Sequence, residues 1–143
     1  MAFQEDKIKI EEAILLTEIQ HLVHKKHDEI SDGQLQIALI ARALAQDTSI
    51  IILDEPTTHL DLVHKATLLK LLLKLTHETG KTILYSTHDI DLAIQMTDEM
   101  IVFTPTQIVI DQPCNLIQTR IFNTLFDTEH LLFDPTIGKF KIK

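Results

Sequence analysis

Apolar residues return along this chain in two rhythms. From Gln4 to Lys26, Ile8, Ala13, Leu15, Leu16, Ile19, Leu22 and Val23 recur at roughly helical spacing among acids and lysines, which predicts a helix. Asp28 to Gly33 interrupts it. From Gln34 to Ala45 the chain is apolar almost all round, with Arg42 the single charge, and this predicts a helix buried on most sides. The rhythm then changes. Ile50-Ile51-Ile52-Leu53 is a short β-branched run closed by Asp54-Glu55-Pro56, the pattern of a buried parallel strand. Asp61 to Thr79 is amphipathic again, with Leu62, Ala66, Leu69 and Leu73 on the expected apolar face and Gly80 as its stop. Thr82 to Ser86 predicts a second strand, and Ile90 to Met96 a helix. Met100–Phe103 and Gln107–Ile110 flank Pro105-Thr106 as a hairpin. The tail predicts a helix near Ile117–Phe126, a break at Phe133-Asp134-Pro135 and a last strand over Lys139–Ile142. Strand and helix alternate through the middle, so the fold class is α/β.

Composition narrows the picture. At 143 residues and 45% apolar, the chain is one domain's worth. Lys and Arg number 13 against 21 Asp and Glu, a formal charge of −8, which argues against a nucleic-acid partner held on a broad basic face. The lone Cys114 excludes an intramolecular disulfide and fits a reducing compartment. No run of about 18 apolar residues is present, and Met1 to Ile10 is too charged for a secretory signal. Glycine is scarce: Gly33, Gly80 and Gly138 are the three in the chain. A phosphate-cradling loop needs more. Gly80-Lys81-Thr82 matches the end of G-x-x-x-x-G-K-[ST], but Leu75 stands where the first glycine belongs, and the segment follows a helix and opens a strand. It is expected to be a helix cap.

The acid pair is the stronger signal. Asp54 and Glu55 close an apolar strand, and α/β proteins bind ligands at the carboxyl ends of parallel strands. Phosphoryl transfer to water needs one carboxylate to hold Mg²⁺ and another group to orient the attacking water, roles that two adjacent acids can divide. Upstream, Ile30-Ser31-Asp32-Gly33-Gln34 opens a helix whose free N–H groups favour an anion. Downstream lie Thr58-His59-Leu60-Asp61 and Ser86-Thr87-His88-Asp89.

In order and spacing these segments resemble the ATP-binding-cassette (ABC) ATPases. Ile30–Gln34 looks like that family's signature motif, Ile50–Glu55 its Walker B strand, Thr58–Asp61 its D-loop and Ser86–Asp89 its switch-histidine loop. The resemblance covers about residues 11 to 143, the C-terminal half of a cassette, and implies a partial P-loop NTPase core: parallel strands with flanking helices, plus the end of the helical signature subdomain. It implies one partial domain, with 1–46 ending the helical subdomain, 47–111 running from Walker B to the switch-histidine core, and 112–143 forming a C-terminal helix and strand. It implies ATP and Mg²⁺ as ligands. Asp54 would support the metal through water, Glu55 would polarise the hydrolytic water and His88 would hydrogen-bond the γ-phosphate. Ser31, Asp32, Gly33 and Gln34 form the signature segment, in which Ser31, Gly33 and Gln34 would contact a nucleotide held by a second ATPase subunit in a head-to-tail dimer. Asp61 would couple the two subunits. Transmembrane permease subunits would be the other partners, on the cytoplasmic face of a membrane.

The sequence departs from the family at three places. Asp32 replaces the first signature glycine. A carboxylate facing phosphate at ~5 Å and an effective dielectric of ~20 would be repelled by about 3 kcal/mol per charge pair, so Asp32 is expected to point away. Leu35 stands where the family has Arg or Lys. No phosphate loop, glutamine loop or adenine-stacking aromatic segment precedes the signature, so the chain by itself is expected to be inactive. Asp54–Asp61, Ser86–Ala93 and Phe133-Asp134-Pro135 with Gly138-Lys139-Phe140 lean toward importers of iron complexes, haem or cobalamin. Two other classes stand beside this one: a non-catalytic interaction fragment, and a cassette acting on ribosomes or DNA, against which the charge of −8 counts. His21, His24 and His27 are read as a solvated face rather than a metal site, His59, His64, His77 and His130 as scattered surface residues, and Cys114 as an apolar filler.

Overall fold

The computed structural model describes residues 2–126 and 130–142. They divide into two compact units, Met1–Thr87 and His88–Lys143.

In the first unit, α1 (Ala2–Leu16) packs against α2 (Asp32–Ala45). The single helix expected over 4–26 is shorter than its periodicity. Thr17 Oγ1 donates to the Ala13 carbonyl at 2.7 Å, and Glu18 turns left-handed at φ 60°. Glu18 N–H then donates to Leu15 O at 3.1 Å and Ile19 N–H to Ile14 O at 3.2 Å, a Schellman end with glutamate at the place glycine usually takes. The chain continues through single 3₁₀ turns at Gln20–Leu22 and His27–Glu29. His21, His24 and His27 therefore do not share one helix face.

Strand β1 (Ile50–Leu53) pairs parallel with β2 (Thr82–Tyr85), Ile50 opposite Thr82 and Leu53 opposite Tyr85, and α3 (Leu62–Thr79) makes the crossover between them. Asp61 caps α3 at its start. Gly80, at φ 67°, closes it by donating to Thr76 O at 3.0 Å. Helix α3 buries Leu68, Leu69, Leu72 and Leu75. The expected face holds at Leu69 but turns away from Leu62, which is 68% exposed. Leucines at 62, 68, 69, 71, 72, 73 and 75 offer more than one apolar stripe, and packing selects among them. Helix α2 likewise buries one stripe, Ile40, Ala41 and Leu44, and leaves Leu39 exposed, so its nearly all-round apolar character exceeds what this chain covers.

The second unit holds α4 (Ile90–Met96), the hairpin β3 (Met100–Phe103) and β4 (Ile108–Asp111), α5 (Pro113–Gln118), a 3₁₀ turn at Ile121–Thr124, and the hairpin β5 (Leu131–Asp134) and β6 (Lys139–Ile142). The helix expected near 117–126 starts earlier, because Pro113 presets its first turn. It stops at Gln118, and Arg120 turns left-handed at φ 58°. Strand β5 occupies the expected break. There Asp134 accepts from Thr136 N–H at 2.9 Å and from Lys141 Nζ at 2.6 Å, and Gly138 takes φ 64° to complete the turn. Val102, Leu116, Ile121, Phe122 and Phe133 form the core, and the Phe133 ring lies 4.9 Å from a tilted Phe122 and 5.1 Å, edge to face, from Phe140. The α/β class read from the pattern is the class observed.

Candidate functional site

Strand β1 ends where its apolar run ends, and the next two residues are Asp54 and Glu55. The ladder continues one step past β2 through Ser86 N–H to Leu53 O at 3.0 Å, which brings the Ser86 side chain to the acids. Ser86 Oγ donates to Asp54 Oδ1 at 2.6 Å and accepts the Glu55 N–H at 2.9 Å. Glu55 is left-handed at φ 42°, a conformation that costs a non-glycine residue roughly 1–3 kcal/mol and clusters at functional sites. Its carboxylate accepts from Thr58 Oγ1 at 3.0 Å, and Thr58 N–H donates to Glu55 O at 3.1 Å. Pro56 and Thr57 are buried beneath this turn. Both acids thus sit at the carboxyl end of a parallel sheet, tied to the Ser86 and Thr58 hydroxyls.

The segment Ile30–Gln34 is a helix start. Ser31 caps α2 by accepting Gln34 N–H at 3.3 Å, and Gln34 Oε1 accepts Ser31 N–H at 3.0 Å, a reciprocal capping box. Gln34 thus has a structural use as well as a polar end. Asp32 is exposed in the first turn, where the helix dipole favours an anion. A Cβ at Gly33 would lie 3.3 Å from His64 Cδ2 and 3.7 Å from Leu60 Cδ2, so the start of α2 and the start of α3 meet at the one residue without a side chain. Asp61 caps α3 through Oδ1, which accepts His64 N–H at 2.9 Å, while Oδ2 lies 2.8 Å from His64 Nδ1. These bonds, the backbone one foremost, hold the Asp61 carboxyl below its ordinary range.

Ser31, Asp32, Gly33, Gln34, Asp54, Glu55 and Asp61 all lie in the first unit, where Ser86 joins Asp54 to Glu55 and Gly33 meets the helix start that Asp61 caps. His88 opens the second unit, its carbonyl accepting from Ile90 N–H at 3.0 Å ahead of α4. Lys81 of the Gly80-Lys81-Thr82 segment donates to Asp47 Oδ1 at 2.8 Å and Thr48 O at 2.9 Å, so that lysine staples loop to strand. Among the described residues no three His, Cys, Asp or Glu side chains converge on a metal position, and no helix is long and apolar enough to cross a membrane. The site carries two adjacent carboxylates, Asp54 and Glu55. That suits Mg²⁺, which takes one or two protein carboxylates and completes its shell with phosphates and water.

Several known proteins resemble this chain. A family model described as "AAA domain, putative AbiEii toxin, Type IV TA system" matches residues 14–94, more than half of the chain. An uncharacterized ABC transporter ATP-binding protein of Methanocaldococcus jannaschii is 37% identical over 141 residues, 98% of this chain and 49% of the relative. The achromobactin transport ATP-binding protein of Dickeya dadantii is 35% identical over 134 residues, 92% of this chain and 50% of the relative. The chain belongs to the ABC ATPases. Among solved structures, a dimeric ATP-binding cassette in a post-hydrolysis state with ADP and Pi is 33% identical, with a TM-score of 0.56 over 71% of this chain and 44% of that one. The family model and the relatives share an ATPase core and differ in the setting they name. The relatives align along nearly the whole chain and decide for the cassette.

This ABC ATPase chain spans about half the length of the curated relatives it matches. Three of its site residues escaped the motif reading: Ser86, Thr58 as a side-chain partner of Glu55, and His64. Ser86 and Thr58 lie inside segments the motifs marked, but the hydroxyl contacts depend on register. His64 lies one helical turn after Asp61, and that spacing alone carried the signal.

Proposed function

We propose that the intact protein is the ATP-hydrolysing subunit of an ABC importer that takes up an iron complex, haem or cobalamin. The observation that carries this reading is the acid pair: Asp54 and Glu55 stand at the carboxyl end of a parallel strand, locked to Ser86 and Thr58, on a chain whose relatives are transport ATP-binding proteins. Asp54 would hold Mg²⁺ through water, and the metal would neutralise charge on the phosphates. Glu55 polarises the attacking water and His88 hydrogen-bonds the γ-phosphate. The signature residues Ser31, Gly33 and Gln34 offer N–H, hydroxyl and amide groups to a nucleotide bound by a second ATPase subunit, with Asp32 in the same helix turn, and Asp61 couples the subunits. That arrangement takes its support from the dimeric cassette bound to ADP and Pi. Permease subunits at the cytoplasmic face of a membrane complete the proposed assembly. The three parts 1–46, 47–111 and 112–143 serve as signature, catalytic and C-terminal segments of one cassette domain.

The test uses the protein carrying both the phosphate loop and this chain. Replacing Glu55 with Gln should reduce turnover at least a hundredfold, within the range general acid–base groups contribute, while ATP stays bound. Turnover at the unsubstituted rate would remove Glu55 from the mechanism. The 143-residue chain alone should bind no ATP at micromolar concentration by calorimetry.

One observation favours a second reading for the chain by itself, that of a docking fragment. Ile50 and Ile52 of β1 and Leu84 of β2 share one sheet face at 55%, 73% and 42% exposure, on a parallel pair of the kind normally covered on both sides.

A further inference from the structure

We propose that Ser86 is the positioning residue of the acid pair, a single hydroxyl that sets the aim of both Asp54 and Glu55. The inference rests on the reading of those two acids as the metal-holding and water-polarising groups. Ser86 Oγ–H donates to Asp54 Oδ1 at 2.6 Å, a short, charge-assisted bond, and a lone pair of the same oxygen accepts Glu55 N–H at 2.9 Å. The hydroxyl thereby spans the peptide joining the two acids. It is itself held, because Ser86 N–H continues the sheet ladder to Leu53 O at 3.0 Å. The restraint falls where it is needed. Glu55 is in the left-handed region at φ 42°, which a residue with a side chain keeps only when its surroundings impose it. Thr58 Oγ1 holds the far end of the same residue at 3.0 Å. With Ser86 in place the carboxylate projects from a backbone pinned on both sides. Without it the Glu55 amide loses the Ser86 bond, and the turn can relax toward an ordinary φ. Misplacement by about 1 Å can cost a hundredfold in rate. Ser86 is a positioning residue and reaches the nucleotide only through the acids.

Two measurements test this, one on structure and one on rate. In the 143-residue chain, NMR hydrogen exchange should find the Glu55 amide protected. Ser86→Ala should speed its exchange roughly tenfold or more, and Ser86→Thr, which keeps the hydroxyl at an exposed position, should leave it protected. An unprotected Glu55 amide in the unsubstituted chain, or protection unchanged by Ser86→Ala, overturns the clamp. Should Ser86→Ala fail to fold, the unsubstituted chain and Ser86→Thr decide alone. In the protein carrying both halves, Ser86→Ala should lower kcat roughly tenfold with KM for ATP within about twofold, and Ser86→Thr should restore most of the rate. An equal loss in both variants, or a loss confined to KM, overturns the positioning role. Glu55→Gln run beside them separates the two ideas: if it still turns over, the assignment of Glu55 fails while hydrogen exchange continues to read the clamp.

Discussion

The two units solve the same problem differently. In the first, Met1–Thr87, helices α1, α2 and α3 and a two-stranded parallel sheet bury leucine, isoleucine and alanine, and polar contacts gather at the end of the sheet. In the second, His88–Lys143, two antiparallel hairpins and short helices close over an aromatic core of Phe122, Phe133 and Phe140. Each nevertheless leaves an apolar sheet face open. In the first unit this is Ile50, Ile52 and Leu84. In the second, Ile101 opposes Ile110 and Phe103 opposes Ile108 on one face of β3–β4, with Phe103 68% exposed. An antiparallel sheet can keep one face in water, but that face is then normally polar. Contiguous apolar faces of this kind mark contact surfaces. The comparison separates side chains that hold a unit together from side chains that await a cover.

The difference can be tested in steps. Phe122→Ala, deep in the second core, should cost about 3–5 kcal/mol by denaturant unfolding. Ile52→Thr, on the open face of the first sheet, should change stability by no more than about 0.5 kcal/mol. A large loss at Ile52 would mean that its face is already covered. Between these lies Gly80→Ala. A Cβ there meets nothing within 4 Å, so the cost is the left-handed backbone alone, about 1–2 kcal/mol in the same titration. The open faces and the free edge of β2 should make the isolated chain associate, and Ile52→Lys with Phe103→Lys should reduce this on size-exclusion chromatography. A clean monomer in the unsubstituted chain would count against it.

The smallest effect is acid sensitivity. Hydrogen bonds from Lys74 to Glu18, from Lys81 and Lys9 to Asp47, from His64 to Asp61 and from Lys141 to Asp134 hold all four carboxyls below their ordinary values. Groups lowered on folding stabilise the native state above their unfolded pKa, near 4, and lose that contribution as pH falls through the lowered folded values. Urea midpoints should therefore hold from pH 7 to about 5 and fall below about 4. These groups are exposed, so the fall should be shallow.

Much of the fold was legible because local chemistry agreed with it. The Ile50–Leu53 run is β-branched and closed by acids and proline, and it is a strand over those residues. Asp61 and Gly80 carry the side chain and the φ that bound α3, and they bound it. The end of α1 was not legible, since its left-handed turn falls on Glu18, and glutamate, like the Glu55 and Arg120 that also turn left-handed, does not announce a turn. Strand β5 was hidden for a similar reason: Asp134-Pro135 reads as a break, whereas Asp134 both ends the strand and organises the hairpin.

By itself, the sequence determined the family, the α/β class and the place of the Asp54-Glu55 pair at the end of an apolar strand, because each is written in consecutive residues. Tertiary structure alone decided what holds those residues. Ser86 reaches Asp54 and Glu55 across thirty-two and thirty-one positions only because β1 and β2 pair in one register, and Gly33 meets His64 only because two helix starts converge. A side-chain hydrogen bond depends on distances of a few tenths of an ångström, and those are set by packing rather than by order along the chain.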